Sequence, residues 1–162
     1  MAVVLKNMPT IAINKRANFD YNILAKYEAG LILLGHEVKS IKTGHISMKG
    51  SYISLRKTAK SQLPTPYLIN SHIPLYKQAG NIKNYDPDRD RKLLLNKKEI
   101  NHLIGKQQEQ GLTLVPIKIY TKHSFIKLEF GLGQGKKKFD KRETIKKREV
   151  ERSLRTLTKR NR

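Results

Sequence analysis

Apolar and polar residues alternate twice near the carboxy end of the chain, and this pattern constrains the fold more than any other feature. Residues 115–120 place valine or isoleucine at every second position, and residues 126–130 repeat the pattern with isoleucine, leucine and phenylalanine. A period of two is typical of β-strands that bury one face. Because residues 122–124 lie as a short break between the two runs, we predict an antiparallel hairpin.

Further strands are predicted upstream of the hairpin. Residues 20–29 and 31–34 are rich in tyrosine, isoleucine and leucine, and Gly30 between them predicts a bulge or a sharp bend in one long strand. Residues 52–56 alternate as a half-buried strand. Prolines surround residues 67–73, which favours an edge strand or a strand bounded by loops.

Three short helices are predicted from the signals at their ends. An aspartate followed by proline opens residues 86–95, and this order of N-cap and first helical residue predicts a helix. Asn96 and Glu99 have capping-box spacing and predict a second helix, which Gly111 closes. Residues 37–42 form the third.

Short strands and short helices without regular alternation define the expected fold class. We predict a mainly β chain with short helices, folded as a closed or partly open β-barrel of the oligonucleotide-binding type. The length of 162 residues suits one such domain with a tail left over.

The carboxy end differs from the rest of the chain in charge. Residues 131–162 contain 13 basic and 4 acidic residues, whereas residues 1–130 contain 21 and 9. The segment opens with three alternating glycines, expected to act as a flexible hinge, and has too few apolar residues to offset its ordering entropy. We therefore predict a domain of residues 1–130 and a basic tail of residues 131–162 that is disordered when free.

The formal net charge of +21 predicts a polyanionic partner, either nucleic acid or an acidic membrane. No apolar run approaches the roughly 20 residues of a membrane helix, so we expect no membrane span. The apolar run of residues 1–5 is too short for a signal-peptide core, and the absence of cysteine suits a reducing compartment. We expect the protein in the cytoplasm, as a monomer when free.

Patterns that could carry catalysis are weak. Residues 131–137 depart from a Walker A motif, because three residues rather than four separate the outer glycines and no serine or threonine follows the lysines. Asp86, Asp88 and Asp90 could hold Mg²⁺ in an RNA-cleaving enzyme, although the basic residues among them favour a salt-bridged segment. The five histidines lack metal-ligand spacing. We expect no cofactor, no metal site and no catalysis, and keep RNA cleavage as an alternative.

Basic and aromatic residues are interleaved in two segments, which favours RNA binding. Cations meet phosphates, and aromatic rings stack on exposed bases. A protein that binds single strands regardless of sequence would have the same pattern and stays an alternative. The residues concerned are Lys15, Arg16, Phe19, Tyr21 and Tyr27, then Tyr76, Lys77, Lys83, Tyr85, Arg89, Arg91 and Lys92.

Seven sequence blocks resemble, in order, the signature blocks of the small protein B family, the SsrA-binding proteins. The resemblance covers nearly the whole chain, and seven blocks in the right order are far more specific than a single motif. The blocks are NKRA at 14–17, YEAG at 27–30, EVKS at 37–40, SY at 51–52, DPDRDRKLLL at 86–95, GLTLVP at 111–116 and GKKKFDKRE at 135–143.

The resemblance implies an oligonucleotide-binding barrel that binds the tRNA-like domain of transfer-messenger RNA (tmRNA). The complex would enter ribosomes stalled on messages without a stop codon, where trans-translation tags the unfinished polypeptide and releases the ribosome. The implied protein catalyses no bond change. It fills the space of the missing anticodon arm, while its tail senses an empty mRNA channel at the decoding centre, so the implied partners are tmRNA and the ribosome.

Individual positions carry the implied contacts with the tRNA-like domain. Asn14, Glu28 and Leu94 match positions at which the family contacts this RNA. A carboxylate such as Glu28 suits an RNA surface as an acceptor for base amino groups or ribose hydroxyls, or as the organiser of a neighbouring arginine. The expected phosphate contacts beside them are Lys15, Arg16, Lys42, Arg89, Arg91 and Lys92.

The tail resembles the family pattern for binding ribosomal RNA. Phe139 stands where histidine is common in the family, and Val150 where some members have a large aromatic residue. Apolar residues recur at helical spacing from Val150, and we expect the chain from about Asp140 to become helical only against ribosomal RNA. The implied ribosome-binding residues are Gly135, Lys136, Lys137, Phe139, Asp140, Lys141, Arg142, Lys147 and Arg148.

Overall fold

A computed structural model describes residues 9–57, 62–80, 82–107 and 111–160. Seven strands and four helices follow one another along these residues. The strands are β1 (Thr10–Ile13), β2 (Tyr21–Leu31), β3 (Tyr52–Arg56), β4 (Thr65–Ile69), β5 (Arg91–Leu94), β6 (Leu112–Lys122) and β7 (Phe125–Gly135). The helices are α1 (Lys15–Asp20), α2 (Gly35–Lys42), α3 (Lys97–Gln107) and α4 (Lys138–Arg160).

The strands close into a barrel. From the antiparallel hairpin β6–β7, the ring continues through β2, β5, β4 and β3 and returns to β6. The short strand β1 pairs with the part of β6 that extends beyond β3. This ring confirms the predicted fold, a mainly β chain with short helices and a barrel of the oligonucleotide-binding type.

The hairpin turns where the alternation predicts it. Lys122 pairs with Phe125, and His123 and Ser124 between them have φ angles of 48° and 68°. Two consecutive residues of positive φ give a turn whose twist matches that of the flanking strands.

One apolar core fills the barrel, because the inward positions of the paired strands carry large apolar side chains. Ile41 of α2 and Leu103 of α3 join this core with no exposed surface, so the two helices cover parts of the barrel. The buried strand residues include Ile53, Leu68, Leu93, Leu114, Ile119, Leu128 and Phe130.

Helix α1 packs on the outside of the barrel. Ala17 is fully buried and forms a second apolar cluster with Val115 and Ile117 of β6. Beneath this cluster β7 presents glycines, and a Cβ at Gly131 would lie 2.7 Å from Cγ2 of Ile23. The missing side chain therefore lets β2 and β6 pack together across β7.

The three glycines expected to form a flexible hinge lie in a strand, so that prediction is wrong. Their strand, β7, pairs with β2 as far as the partners Tyr21 and Gly135. Leu132 between the glycines is 3% exposed and belongs to the barrel core. The barrel strand thus runs to Gly135, beyond the predicted boundary near residue 131.

Two local predictions fail because strand pairing overrides local signals. β2 pairs continuously through Gly30, and its irregularity lies between Ile23 and Ala25 instead. Residues 86–95 contain β5 rather than a helix, since this strand pairs with both β2 and β4. Of the two alternatives for the proline-flanked segment, the strand bounded by loops is confirmed, because β4 is interior to the sheet between β3 and β5 and irregular chain adjoins both of its ends.

The predictions of α2 and α3 are confirmed. The backbone N–H of Asn96 donates to the Glu99 carboxylate at 3.0 Å, which is half of the expected capping box. Residues 108–110 lie outside the described part of the chain, as does the apolar run of residues 1–5, so the role of Gly111 in closing α3 stays a prediction. β1 and α1 were not predicted from the sequence.

Helix α4 contains most of the predicted tail. Its side chains up to residue 156 are mainly exposed, with Val150 at 59% and Leu154 at 58%. Lys147 and Glu143 form the expected i,i+4 ion pair at 3.4 Å. The helix expected on the ribosome is therefore present in this structure, and its loss in the free protein stays a prediction.

Candidate RNA interface

Four strands place one row of residues side by side on the outer face of the barrel. Tyr120 of β6 pairs with Lys127 of β7, Lys127 pairs with Gly30 of β2, and Gly30 pairs with Leu94 of β5. Directly opposed residues in antiparallel strands share a face. The pairing of Glu28 with Glu129 forms the next row on the same face.

Glu28 is the centre of a hydrogen-bonded cluster on this face. Its carboxylate accepts a hydrogen bond from the Tyr120 hydroxyl, and it lies 3.4 Å from Nζ of Lys122 and 3.7 Å from Nζ of Lys127. The hydrogen bond from Tyr120 and the two lysines lower the pKa of Glu28, although burial opposes them. Burial and the Glu28 carboxylate raise the pKa of Tyr120, so the hydroxyl stays protonated and donating. The Glu28 carboxylate therefore holds the side chains of Lys122 and Lys127 beside it.

Glu129 organises a second pair of lysines beside the Glu28 cluster. Its carboxylate lies 3.1 Å from Nζ of Lys118 and 3.5 Å from Nζ of Lys26. Nζ of Lys118 also lies 5.4 Å from the ring centroid of Tyr120. This outer face therefore carries four lysines and two glutamates, which leaves it net positive. These lysines were not predicted as site residues, although the alternation of polar and apolar residues in β6 and β7 indicates an outward face for Lys118, Lys122 and Lys127.

Leu94 and Lys92 are brought onto the same surface as Glu28. Both are exposed, whereas Arg91 and Leu93, which alternate with them along β5, are buried. Lys92 pairs with Tyr67 of β4, so this surface continues around the barrel. The structure thus places three predicted RNA-binding residues together.

Two predicted phosphate contacts lie at the start of α1. Lys15 and Arg16 are exposed, and they line a depression together with residues 46–49. Asn14 is only 8% exposed. Its side-chain amide donates to Pro116 O at 2.9 Å, and its Oδ1 accepts from Arg16 N at 3.2 Å. Asn14 is therefore the N-cap of α1 and holds the basic pair in place. Lys42 is exposed at the end of α2.

The prediction that Arg91 contacts phosphate is wrong. Its side chain is fully buried, with Nη2 donating to Glu37 Oε1 at 2.9 Å and to Pro87 O at 2.7 Å. Arg89 also donates to Glu37 through Nε at 2.8 Å, and its side chain is 29% exposed. Burial raises the pKa of Glu37, but the hydrogen bonds from Arg89, Leu34 N–H and Arg91 outweigh burial and lower it to about 2. Sequence pattern does not separate a buried arginine from an exposed one.

The aspartates of residues 86–90 have partners within the chain, at or near the protein surface. Asp86 Oδ1 accepts from the N–H of Asp88, Asp88 pairs with His72 at 2.9 Å, and Asp90 pairs with Arg56 at 2.5 Å. Across the described ranges, histidine, aspartate and glutamate form no group of three or more that could hold a metal ion.

None of the helices in those ranges has both the length and the hydropathy needed to cross a bilayer.

Several predicted tail residues instead attach the segment before α4 and its first turn to α1. Lys136 donates through Nζ to Asn18 O at 2.9 Å and through its backbone N–H to Asp20 O at 2.9 Å. Lys141 Nζ lies 2.8 Å from Asp20 Oδ1. Asp140 accepts from the N–H of Lys137 at 3.1 Å and caps the first turn of α4.

The other predicted tail residues face solvent. Phe139 is 75% exposed, and the guanidinium carbon of Arg148 lies 5.9 Å from the ring centroid of Phe19 in α1. The exposed members of the predicted set are Gly135, Lys137, Phe139, Asp140, Arg142, Lys147 and Arg148.

A barrel of the oligonucleotide-binding type, with a lysine-rich outer face and a basic helix beside it, defines the class of nucleic-acid-binding proteins. Comparison with known proteins narrows this class. The SmpB protein family matches residues 11–160, and the chain belongs to this family.

Relatives of similar length support this membership. The SsrA-binding protein of Gloeothece citriformis is 49% identical over 93% of this chain and 93% of its own. That of Thermosipho africanus is 47% identical over 96% of this chain and its own full length. That of Geobacillus kaustophilus is 51% identical over 89% and 88%.

A chain in one solved structure is similar to this chain in both fold and sequence. It is described as "tmRNA-SmpB: a journey to the center of the bacterial ribosome". The matched chain has a TM-score of 0.62 and 43% identity, over 78% of this chain and 85% of its own.

Proposed function

We propose that this protein is an RNA-binding adaptor that binds the tRNA-like domain of tmRNA and delivers it to stalled ribosomes for trans-translation. Family membership over residues 11–160 carries the proposal. The net charge of +21 supplies the attraction to phosphates that RNA and ribosome binding need. Binding and positioning perform this function without a chemical step, and its place is the cytoplasm, where ribosomes work.

We assign recognition of the tRNA-like domain to the outer barrel face and to α1. Glu28, Lys92 and Leu94 supply contacts on the barrel face, whereas Lys15 and Arg16 supply phosphate contacts at the start of α1. Asn14 acts through the capping of α1, and Arg91 acts through the buried ion pair with Glu37. Lys42 and the exposed part of Arg89 add positive charge.

We assign ribosome engagement to α4. Its residues 138–160 contain 10 basic and 4 acidic side chains, and ribosomal RNA would neutralise their mutual repulsion. An mRNA that continues past the decoding site would occupy the same channel. The tail therefore becomes helical in ribosomes whose mRNA channel is empty.

The test of RNA identity is to purify the protein with its bound RNA and sequence that RNA. We expect tmRNA to be the dominant species. Affinity for the isolated tRNA-like domain should exceed affinity for unstructured RNA of equal length, and equal affinities would support the sequence-indifferent single-strand binder instead. A chain of residues 1–137, which keeps all of β7, should retain the affinity within about a hundredfold, roughly 2.8 kcal/mol.

The test of the tail is tagging on stalled ribosomes. We expect Arg148→Pro to stop tagging while leaving binding to the free tRNA-like domain near normal, because proline breaks a helix interior. Arg148→Ala is the matched control, since it removes the same charge and keeps the helix. Normal tagging by Arg148→Pro would overturn a helical tail on the ribosome. The double variant Asp140→Ala with Arg142→Ala should also fail to tag.

A further inference from the structure

The tail begins beside the carboxy-terminal end of α1. Gly135, the last residue of β7, pairs with Tyr21, which directly follows α1. Lys136 then donates from its backbone N–H to Asp20 O and from Nζ to Asn18 O, both at 2.9 Å. A cation is favourable at this end of a helix, where carbonyl groups lack partners within the helix. The first residue of the tail is therefore attached to α1.

The first turns of α4 contact the same end of α1. Lys141 Nζ lies 2.8 Å from Asp20 Oδ1, and both side chains are about one-third exposed. Further along α4, the guanidinium carbon of Arg148 lies 5.9 Å from the ring centroid of Phe19. Because residues seven apart are separated by two helical turns, Lys141 and Arg148 lie on one face of α4. This face is the one that lies along α1.

Three consecutive residues at the start of α4 have different surroundings. Asp140 accepts from the N–H of Lys137 at 3.1 Å and caps the first turn. Lys141 ends on the Asp20 carboxylate, whereas Arg142 is exposed. A phosphate could bind the Lys141 ammonium only in competition with this carboxylate. Of the two cations, Arg142 is therefore the one placed to meet RNA.

We propose that Asp20 and Lys141 are positioning residues for tagging. Their ion pair sets the direction in which α4 leaves the barrel, and Lys141 does not contact ribosomal RNA. The inference rests on the proposed function, because it concerns how the tail reaches the ribosome. A helix of 23 residues is about 34 Å long, so a tilt of about 20° at its base moves its far end by about 12 Å.

The test reverses the two charges and measures tagging on stalled ribosomes with limiting protein. Asp20→Lys and Lys141→Asp each replace the ion pair by two like charges, and each should slow tagging by about threefold to tenfold. The double variant restores opposite charges in the reverse order and should tag within about twofold of the wild type. Affinity for the isolated tRNA-like domain should change by less than about threefold in all three variants.

Recovery in the double variant separates positioning from direct contact. If Lys141 met a phosphate, the aspartate that replaces it would repel that phosphate, and tagging would stay slow. Asp88→Lys is the control for net charge, because Asp88 is exposed and precedes β5, which pairs with the opposite end of β2. It should tag like the wild type. Slow tagging by the double variant, or wild-type tagging by both single variants, would overturn the proposal.

A covalent crosslink gives a second measurement. The chain contains no cysteine, so Asp20→Cys with Lys141→Cys supplies the two thiols for a short bis-maleimide. The variant lacks the ion pair and should tag slowly, and the crosslink should return its tagging to the wild-type rate by holding α4 on α1. A crosslink that leaves tagging slow or stops it would contradict the positioning role.

The thermal unfolding midpoint of each variant establishes that the barrel is folded. A wild-type protein that does not tag, or that binds unstructured RNA as well as the tRNA-like domain, would overturn the proposed function. The charge reversal and the crosslink instead compare variants with a wild type that does tag. The two failures are therefore distinguishable.

Discussion

Lys141 near the start of α4 donates to Asp20 at the end of α1, with 2.8 Å between Nζ and Oδ1, across 121 positions of the chain. Lys136 strengthens the same junction through two hydrogen bonds to backbone carbonyls of α1. Arg148 extends it by facing the ring of Phe19. The start of the tail is thus fixed to the element that presents Lys15 and Arg16.

Asp20→Ala should release the start of α4 from the barrel. Both side chains are about one-third exposed, so we expect a loss below about 1 kcal/mol, seen as up to fivefold faster amide hydrogen exchange in the first turns of α4. Glu143→Ala is the control, since its ion pair with Lys147 lies within the helix. Unchanged exchange in Asp20→Ala would mean that the ion pair does not hold the tail.

Gly131→Ala should destabilise the barrel by about 1–3 kcal/mol in urea unfolding, the usual range for overpacking. Its Cβ would lie 2.7 Å from Ile23 Cγ2 and 3.0 Å from Ile117 Cδ1, and both neighbours are β-branched and confined. Gly135→Ala, in the same strand, is the control, because no atom lies within 4 Å of its Cβ. Equal stabilities of the two variants would contradict close packing of β2 and β6 across β7.

Glu37→Ala should destabilise the protein by about 3–5 kcal/mol, because Arg91 would remain as a buried charge without its carboxylate. Asp88→Ala is the control, since its pair with His72 is exposed and should contribute less than about 1 kcal/mol. Both values come from urea unfolding at neutral pH. A cost below 1 kcal/mol for Glu37→Ala would show that water reaches the arginine.

Acid should remove the contribution of Glu37 to stability. Its pKa is about 2 in the folded protein against 4.5 for the free side chain, so its contribution is present above pH 4.5 and is lost as pH falls towards 2. The shift corresponds to about 3 kcal/mol. The difference in unfolding free energy between wild type and Glu37→Gln, measured from pH 6 to 2, should shrink by this amount. A constant difference would mean that Glu37 has an ordinary pKa.

Glu28→Ala should weaken binding to the tRNA-like domain by about tenfold, although it makes the protein more basic, because a charge-assisted acceptor for RNA donors is lost. Lys122 and Lys127 would also lose the carboxylate that positions them. Glu129→Ala makes the same change in net charge one strand away, so a purely electrostatic binder would bind more tightly in both variants. Tighter binding by Glu28→Ala would show that its carboxylate only repels the RNA.

Some individual residues were assigned wrongly because local sequence does not report what lies opposite. Arg91 has the sequence neighbourhood of a phosphate-binding residue, yet Glu37, 54 positions earlier, holds it in the interior. Residues 86–95 begin with a good helix signal, yet two neighbouring strands impose extended structure on Arg91–Leu94. The glycines from Gly131 onward are typical of a hinge, yet Gly131 lies in β7, where the close approach of Ile23 leaves no room for a side chain.

The sequence by itself determined the β-hairpin, the barrel class, the helices α2 and α3, and the need for a polyanionic partner, because period, caps and net charge are local or additive properties. Tertiary structure decided which charges are exposed, since burial depends on segments distant in the chain. It alone brought Glu28 of β2, Lys127 of β7 and Leu94 of β5 onto one face, because strand register determines which side chains are neighbours.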